Sequence, residues 1–470
     1  MTVQEKLLIL GEAARYDVSC ASSGSKRVKE KGKVGSTANG GICHSWTADG
    51  RCVSLLKVLM SNVCIYDCAY CHNRVSNDVP RATFTPEELC ELTLGFYRRN
   101  YIEGLFLSSG VVKNPDYTME LMERTLTLLR EQFAGYIHLK VIPGASALMI
   151  HRLGLLADRV SCNIELPSAN SLALLAPQKK PQAIIEPMRL IKTANAQALE
   201  DGKKFRNAPQ FAPAGQSTQM IVGATPDSDL TIMTLARAMY QKMRMRRVYY
   251  SAYLPVGNHP ILPVSDVPVP LLREHRLYQA DFLFRFYGFE PSDLADDRHP
   301  NLDMAVDPKA AWALRNIHHF PIEINTADRE MLMRIPGLGQ ISADRIIAAR
   351  RLAPVQWDHL KKLGVVMKRA QYFLTAAGKF CGKLQPDSPF LRDVLSDLRD
   401  PEQTSMFDAP KALPAHEDAP KVIIGRDTRG ALLYEQPSLA DSLPPSNSIR
   451  RIDGNAPYAA LPQQAHGFAV

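Results

Sequence analysis

Three cysteines, Cys64, Cys68 and Cys71, fall within the short stretch SNVCIYDCAYCHNR. Gaps of three and two residues let a tight loop gather their thiols in one place. Thiolates are soft donors and suit an iron-sulfur cluster or zinc. Structural zinc takes four ligands in a closed tetrahedron, so a zinc knuckle needs a further ligand from His72 or from elsewhere. A cluster of four irons held by three cysteines instead leaves one iron open to a substrate.

Such a loop needs a rigid frame. From about Ser61 to about Glu290, strand-like runs (YIEGLFLSSG, YIHLKVIPG, RVSCNIELP, TQMIVGA, RRVYYSAYLPV) alternate with helical patterns such as PEELCELTLGFYRR and YTMELMERTLTLLREQF. Repeated βα units predict an α/β fold around a parallel sheet, an incomplete (β/α)6 barrel. The run CVSLLKVLM reads as its first strand, which places the cysteine loop at the C-terminal mouth, where such barrels do chemistry. Four zones follow: an extension over 1–60, the barrel over 61–290, a basic helical domain over 291–385, and a Pro-, Ala-, Ser- and Asp-rich tail over 386–470 that reads as disordered.

The chain has 470 residues, 46% of them hydrophobic, enough for a large core plus appendages. With no signal-like start and no long apolar run, a cytoplasmic location is expected. Nine cysteines there read as metal ligands, reactive thiols or core residues rather than disulfides. Cys20, Cys43 and Cys52, with His44 beside the second, are either a second metal site or buried thiols; Cys90, Cys162 and Cys381 sit in apolar patterns and read as core. A net charge of +8 suits a polyanionic partner where it clusters.

The cysteine spacing, with the aromatic Tyr70 before the last cysteine, resembles that of the radical S-adenosylmethionine superfamily. Together with LREHRLYQADFLFRFYGF and PIEINTADREMLMRIPGLG, it resembles the members described as DNA modification or repair proteins, over roughly residues 1 to 385. The resemblance implies a 4Fe-4S cluster on Cys64, Cys68 and Cys71 whose open iron chelates S-adenosylmethionine. An electron from a donor such as flavodoxin or ferredoxin then yields a 5′-deoxyadenosyl radical. Ser108, Ser109 and Gly110 match the turn that receives the methionine amino group; the usual acidic residue is missing, which shifts binding to backbone carbonyls. Ser161, Asn163 and Glu165 match positions that contact ribose or carboxylate, although Glu165 also reads as a partner for a neighbouring cation. Gly223, with Ile221, matches the segment that packs on adenine, which Tyr70 could also contact.

The helical domain carries a second signal. In PIEINTADREMLMRIPGLGQISADRIIAARR, a helix capped at Asn325 or Thr326 and striped with Leu332 and Ile335 leads into Gly337-Leu338-Gly339, and a new helix begins at Gln340. Glycines in the turn and unpaired N–H groups at the helix start suit a phosphate. This resembles the helix-hairpin-helix element that grips nucleic-acid backbones. A weaker copy follows around Gly364, with Lys361, Lys362, Lys368 and Arg369 beside it; ordinary packing hairpins are the plainer alternative for both. KMRMRR at 242–247 is either a basic track toward the barrel mouth or a solvated helix end; Tyr250, Ser251 and Tyr253 are candidates for the substrate side, with aromatic core packing an equal account of the two tyrosines. Gln403, Met406 and Phe407 in the tail match the spacing of sliding-clamp-binding peptides. The expected function is radical chemistry on DNA, with RNA as an alternative substrate and a non-catalytic iron-sulfur DNA-binding protein as an alternative class.

Overall fold

The computed structural model describes residues 1–14, 42–46, 52–256, 259–264 and 267–397, and two short strands at 423–426 and 432–435. Helix α1 (Val3–Ala13) starts on a capping box between Thr2 and Glu5. Strand β1 (Ile42–Trp46) pairs antiparallel with β2 (Cys52–Leu59). Strand and helix then alternate: α2 (Pro86–Arg98), β3 (Gly104–Ser108), α3 (Pro115–Arg130), β4 (Tyr136–Lys140), α4 (Ala147–Leu156), β5 (Arg159–Ser161), α5 (Ala169–Leu175), α6 (Pro181–Lys204), β6 (Gln216–Val222), α7 (Asp229–Met243) and β7 (Arg247–Ala252). Asn114, Ser146, Ser168 and Ser228 each cap the helix that follows by accepting a backbone N–H.

Strands β2 to β7 are parallel neighbours in chain order, and β7 does not pair back to β2. A sheet wound in one direction by right-handed crossovers carries its helices on one face, which makes these six strands an unclosed barrel. The expected architecture is present, but β2 lies before residue 61 and β1 adds an antiparallel edge strand, so the sheet begins inside the predicted extension.

The two faces of the sheet differ. Leu56, Val58, Leu105, Leu107, Ile137, Leu139, Val160, Met220, Val222, Val248 and Tyr250 alternate onto the helix side and are buried. The register places Lys57, Phe106, His138 and Arg159 in one row of the opposite face, and Lys140, Ser161 and Ser217 in the next. The inner face is therefore largely polar, unlike the packed interior of a closed barrel. At its foot lies a small apolar cluster of Val53, Leu55 and Phe106 against Tyr136.

Beyond β7 come α8 (Leu271–Phe286), α9 (Pro291–Leu294), α10 (Pro308–Arg315), β8 (Ile322–Glu323), α11 (Arg329–Arg334), α12 (Gln340–Arg350), α13 (Met367–Ala370) and β9 (Leu374–Thr375). One hydrophobic core runs without a break from Leu10 through the barrel to Leu395, so packing does not mark the predicted boundary at 291. Helix α14 (Leu391–Asp397) buries Leu391 and Leu395 in that core, where composition predicts disorder from 386 onward; an apolar i,i+4 pair is enough to dock a short helix. Strands β10 (Ile423–Arg426) and β11 (Leu432–Glu435) pair antiparallel in a second compact unit. No helix among the described residues is long and apolar enough to cross a membrane.

Candidate active site

The loop after β2 is held in place by hydrogen bonds. Met60 N donates to Ser108 O and Gly110 N to Ser61 O, both at 2.7 Å, which fastens the start of the loop to the end of β3. Gly110 is required there: a Cβ on it would stand 2.5 Å from the Val63 carbonyl oxygen. Within the loop, Cys71 N donates to Cys68 O at 2.9 Å, and the N–H groups of Tyr66 and Val111 both point at Cys64 Sγ at 3.4 Å.

All three cysteines open on one cleft, which encloses about 950 Å³ out to open solvent. Its wall also includes Tyr70, Ser108, Ser109, Gly110, Asn163, Glu165 and Ile221, so the expected constellation is largely gathered there. Ser161 and Gly223 are not part of it. The Ser161 hydroxyl bonds His138 Nε2 at 3.0 Å, and Gly223 packs against Pro270. Among the described residues no group of three or more His, Cys, Asp or Glu is placed to hold a single metal ion. A cuboidal cluster asks for less convergence, because each thiolate binds a different iron.

Burial pushes the Cys68 thiol up and, reinforced by Cys68 nearby, pushes Cys71 up to about 12. Such thiols stay protonated until a cation takes the proton's place. The cleft wall also holds a cation that the sequence pattern does not announce, Lys179. Its Nζ lies 2.9 Å from Glu165 Oε1 and 3.4 Å from the Tyr70 hydroxyl, and the two charged side chains keep only 12% and 10% of their exposure. Burial alone would lower the Lys179 pKa, but the acidic groups packed around it, Cys68, Glu165 and Tyr70, outweigh it and hold the group well above its ordinary value. Glu165 is thus paired, as its alternative reading has it, and still faces the cleft. It also adopts φ +67°, a left-handed conformation costly for a non-glycine residue and concentrated at functional sites.

Other candidates sort by geometry. Cys90 and Cys162 are buried as expected, but Cys381 is exposed. Tyr250 faces the helices, where its hydroxyl donates to Asp281 Oδ1 at 3.1 Å, so it is not on the substrate side. Strand alternation explains this, since Ser251 takes the inner face beside Ile221. Tyr253, just past the strand end, is buried. The basic run at 242–247 lies at the foot of β7, away from the mouth; Arg244 closes α7 in a left-handed conformation, the helix-end alternative. Cys20, Gln403, Met406 and Phe407 lie outside the described residues. Cys43 pairs across the sheet with Leu55 and Cys52 with Trp46, three rungs apart.

The two segments expected to be hairpins lie in a single module, closed by the parallel pair β8 and β9; the first is α11, a turn and α12, the second a 3-10 turn (Trp357–His359) and the short α13. Helix α11 is capped by Asp328 rather than by Asn325 or Thr326; Asn325 instead bonds Glu323 and the backbone of Val355. Gly337 has φ +83°, and a Cβ there would stand 2.7 Å from Val366 O. Val366 N donates to Gly337 O at 3.0 Å, and Ser342 Oγ donates to Gly364 O at 2.8 Å, so each turn is bound by the other hairpin. The first turn is packed inward: Leu338 is fully buried, its carbonyl accepts from Lys309 Nζ at 2.5 Å, and Gln340 Nε2 donates to Phe286 O at 2.5 Å. Gly339 stays partly open beside the Tyr287 hydroxyl. The second turn is exposed at Gly364, with Lys361, Lys362 and Lys368 exposed around it and, among the described residues, in no ion pair. Arg369 is taken up by buried Asp307.

No protein-family description and no curated protein matches the chain. Solved structures similar to part of it are the [FeFe]-hydrogenase maturase HydG from Carboxydothermus hydrogenoformans (14% identity, 48% of this chain and 49% of that one, TM-score 0.37) and methylornithine synthase PylB (15%, 44% and 55%, TM-score 0.33). A third is the cobalamin-dependent S-adenosylmethionine radical enzyme OxsB with aqua-cobalamin and S-adenosylmethionine bound (12%, 74% and 50%, TM-score 0.29). The chain spans about half the length of each. These scores are too low to carry the architecture, which stands on the strand order.

Proposed function

We propose that the chain is a radical S-adenosylmethionine enzyme acting on a nucleic acid, DNA in the first instance. The carrying observation is that Cys64, Cys68 and Cys71 open together on a cleft whose wall also holds the Lys179–Glu165 pair. The residues fit a cluster: three soft donors, of which Cys68 and Cys71 are thiols that burial keeps protonated without a cation, and two N–H groups aimed at Cys64 Sγ. Bound there, a 4Fe-4S cluster and S-adenosylmethionine supply an electron and a 5′-deoxyadenosyl radical.

The chain's own part is binding, orientation and exclusion. Cys64, Cys68 and Cys71 would hold the cluster. Ser109 Oγ donates to Gly110 O at 2.7 Å, which leaves that carbonyl a second lone pair for an ammonium group. Lys179 and Glu165 present one charge of each sign, and Asn163 sits beside them for hydroxyl groups. Val111, Ile142, Pro143 and Ile221 make apolar wall that limits water. Exposed Lys361, Lys362 and Lys368 around the second hairpin turn support a polyanionic partner, bound through its backbone without sequence readout. A base in duplex DNA would have to be flipped to reach the cleft.

The test is anaerobic reconstitution with assay of metal, sulfide and S-adenosylmethionine binding, followed by competition among duplex DNA, single strands and folded RNA at stated salt. About four irons per chain are expected, with duplex DNA the best competitor. Zinc without sulfide would sink the radical reading, and folded RNA winning would move the substrate to RNA.

A further inference from the structure

Ten residues past Cys71, the side chain of Arg81 returns to the cysteine loop. Its Nη1 donates to Asn62 O at 2.6 Å and to Asn73 O at 2.8 Å, and its Nη2 to Arg74 O at 2.6 Å and to Asn77 O at 2.8 Å. Asn62 lies two residues before Cys64, and Asn73 two residues after Cys71. One planar guanidinium therefore ties the chain entering the cysteine trio to the chain leaving it. Its neighbours are fixed in turn: Ala82 N donates to Asn62 Oδ1 and Asn62 Nδ2 to Pro80 O, both at 2.8 Å, while Asn77 Nδ2 donates to His72 O at 2.9 Å. Among the described residues no carboxylate pairs with Arg81, so its charge is spread over four carbonyl oxygens and not cancelled.

We propose that Arg81 is the positioning residue of the cluster loop, acting both as a four-point clamp that sets the spacing of the three cysteines and as an uncompensated positive charge that favours the reduced cluster. This rests on the reading of Cys64, Cys68 and Cys71 as cluster ligands. The two roles are separable. Lysine keeps the charge but offers a compact ammonium in place of a planar fork with five donors, so it cannot hold four carbonyls in one plane. Methionine keeps the length of the stem and removes both.

The experiment uses the full chain as wild type, Arg81→Lys and Arg81→Met, reconstituted anaerobically. Three quantities are read: iron and sulfide per chain, the rate of loss of cluster absorbance under a chelator, and the midpoint potential by titration followed with electron paramagnetic resonance. Partners outside the ligand shell typically change metal affinity by roughly 10–100-fold, so both variants are expected to lose the cluster on the order of tenfold faster than wild type. The potential should move negative in Arg81→Met and stay near wild type in Arg81→Lys, a split that a purely structural arginine would not produce. If Arg81→Met does not fold, the Arg81→Lys pair of readings decides: faster loss at unchanged potential supports the proposal. Wild-type rate and potential in every variant that folds would overturn it. A wild-type chain that takes up no iron and sulfide would instead defeat the underlying cluster reading.

Discussion

The barrel mouth and the hairpin module hold their polar groups in opposite ways. At the mouth, Glu165 and Lys179 are paired and mostly buried, and the cysteine loop is braced by Arg81, Asn62 and Gly110. In the module, Lys361, Lys362 and Lys368 stand exposed with no ion pair among the described residues. The first pattern suits chemistry, which needs fixed atoms; the second suits a polyanion, which needs charge more than position. The contrast recurs between the two hairpin turns. The turn with the fuller sequence motif, around Gly337, is packed into the module, whereas the turn with the poorer motif, around Gly364, carries the exposed cations.

The largest effect expected from breaking this contrast lies at the mouth. Lys179→Met leaves Glu165 as a buried, unpaired charge and should destabilise the fold by about 3–5 kcal/mol in denaturant titration. Adding Glu165→Gln should recover most of that loss. Additive losses would show that the pair is not a unit.

At the second turn, replacing Lys361, Lys362 and Lys368 together by Ala should leave stability within about 0.5 kcal/mol. It should lower duplex affinity, and the slope of log affinity against log salt should fall by about 0.9 for each phosphate that is no longer neutralised. Arg369→Ala should act the other way, costing stability because Asp307 is left without its partner. Equal drops in affinity from both variants would erase the distinction between fixed and exposed cations.

The first turn sharpens the comparison through pH. Burial lowers the Lys309 pKa to about 7 in the folded chain, against an ordinary value near 10.5. Asp307 opposes that shift and Arg334 adds to it, while the Tyr287 ring lies 4.7 Å from Nζ. Below pH 7 both folded and unfolded chains carry the charge, so the folded state bears its full desolvation cost. Between pH 7 and pH 10 the unfolded chain binds more protons, so this cost falls as pH rises. Stability relative to Lys309→Met should therefore improve by about 1.4 kcal/mol per pH unit across that window. A difference that stays constant with pH would mean that Lys309 remains charged throughout.

Much of this architecture was legible in the residues, because period-two apolar runs and capped amphipathic helices are local signals. Strands β2 to β7 were all marked that way; in the cleft wall, Cys64, Cys68 and Cys71 were marked by their spacing, and Ser108, Ser109 and Gly110 by the family resemblance. Lys179 and Arg81 were not legible. Each reaches its partners through the fold, across 14 residues to Glu165 and 19 to Asn62, with no spacing rule to announce it. Tyr250 takes its core-packing alternative, because alternation puts it on the helix side with Met220, a choice that an aromatic strand residue does not announce. The inward packing of the first hairpin turn depends on Lys309 and on the end of α8, neither of which belongs to the motif.

The most direct measurement is the yield of 5′-deoxyadenosine when the reconstituted protein is incubated without oxygen with S-adenosylmethionine and a strong reductant. The radical assignment predicts steady release from wild type, none from Cys68→Ala, and an unchanged yield from Cys381→Ala, whose thiol is exposed and outside the cleft wall. Wild-type protein carrying its cluster and releasing no 5′-deoxyadenosine would contradict that assignment and leave a redox-sensing or structural cluster in its place.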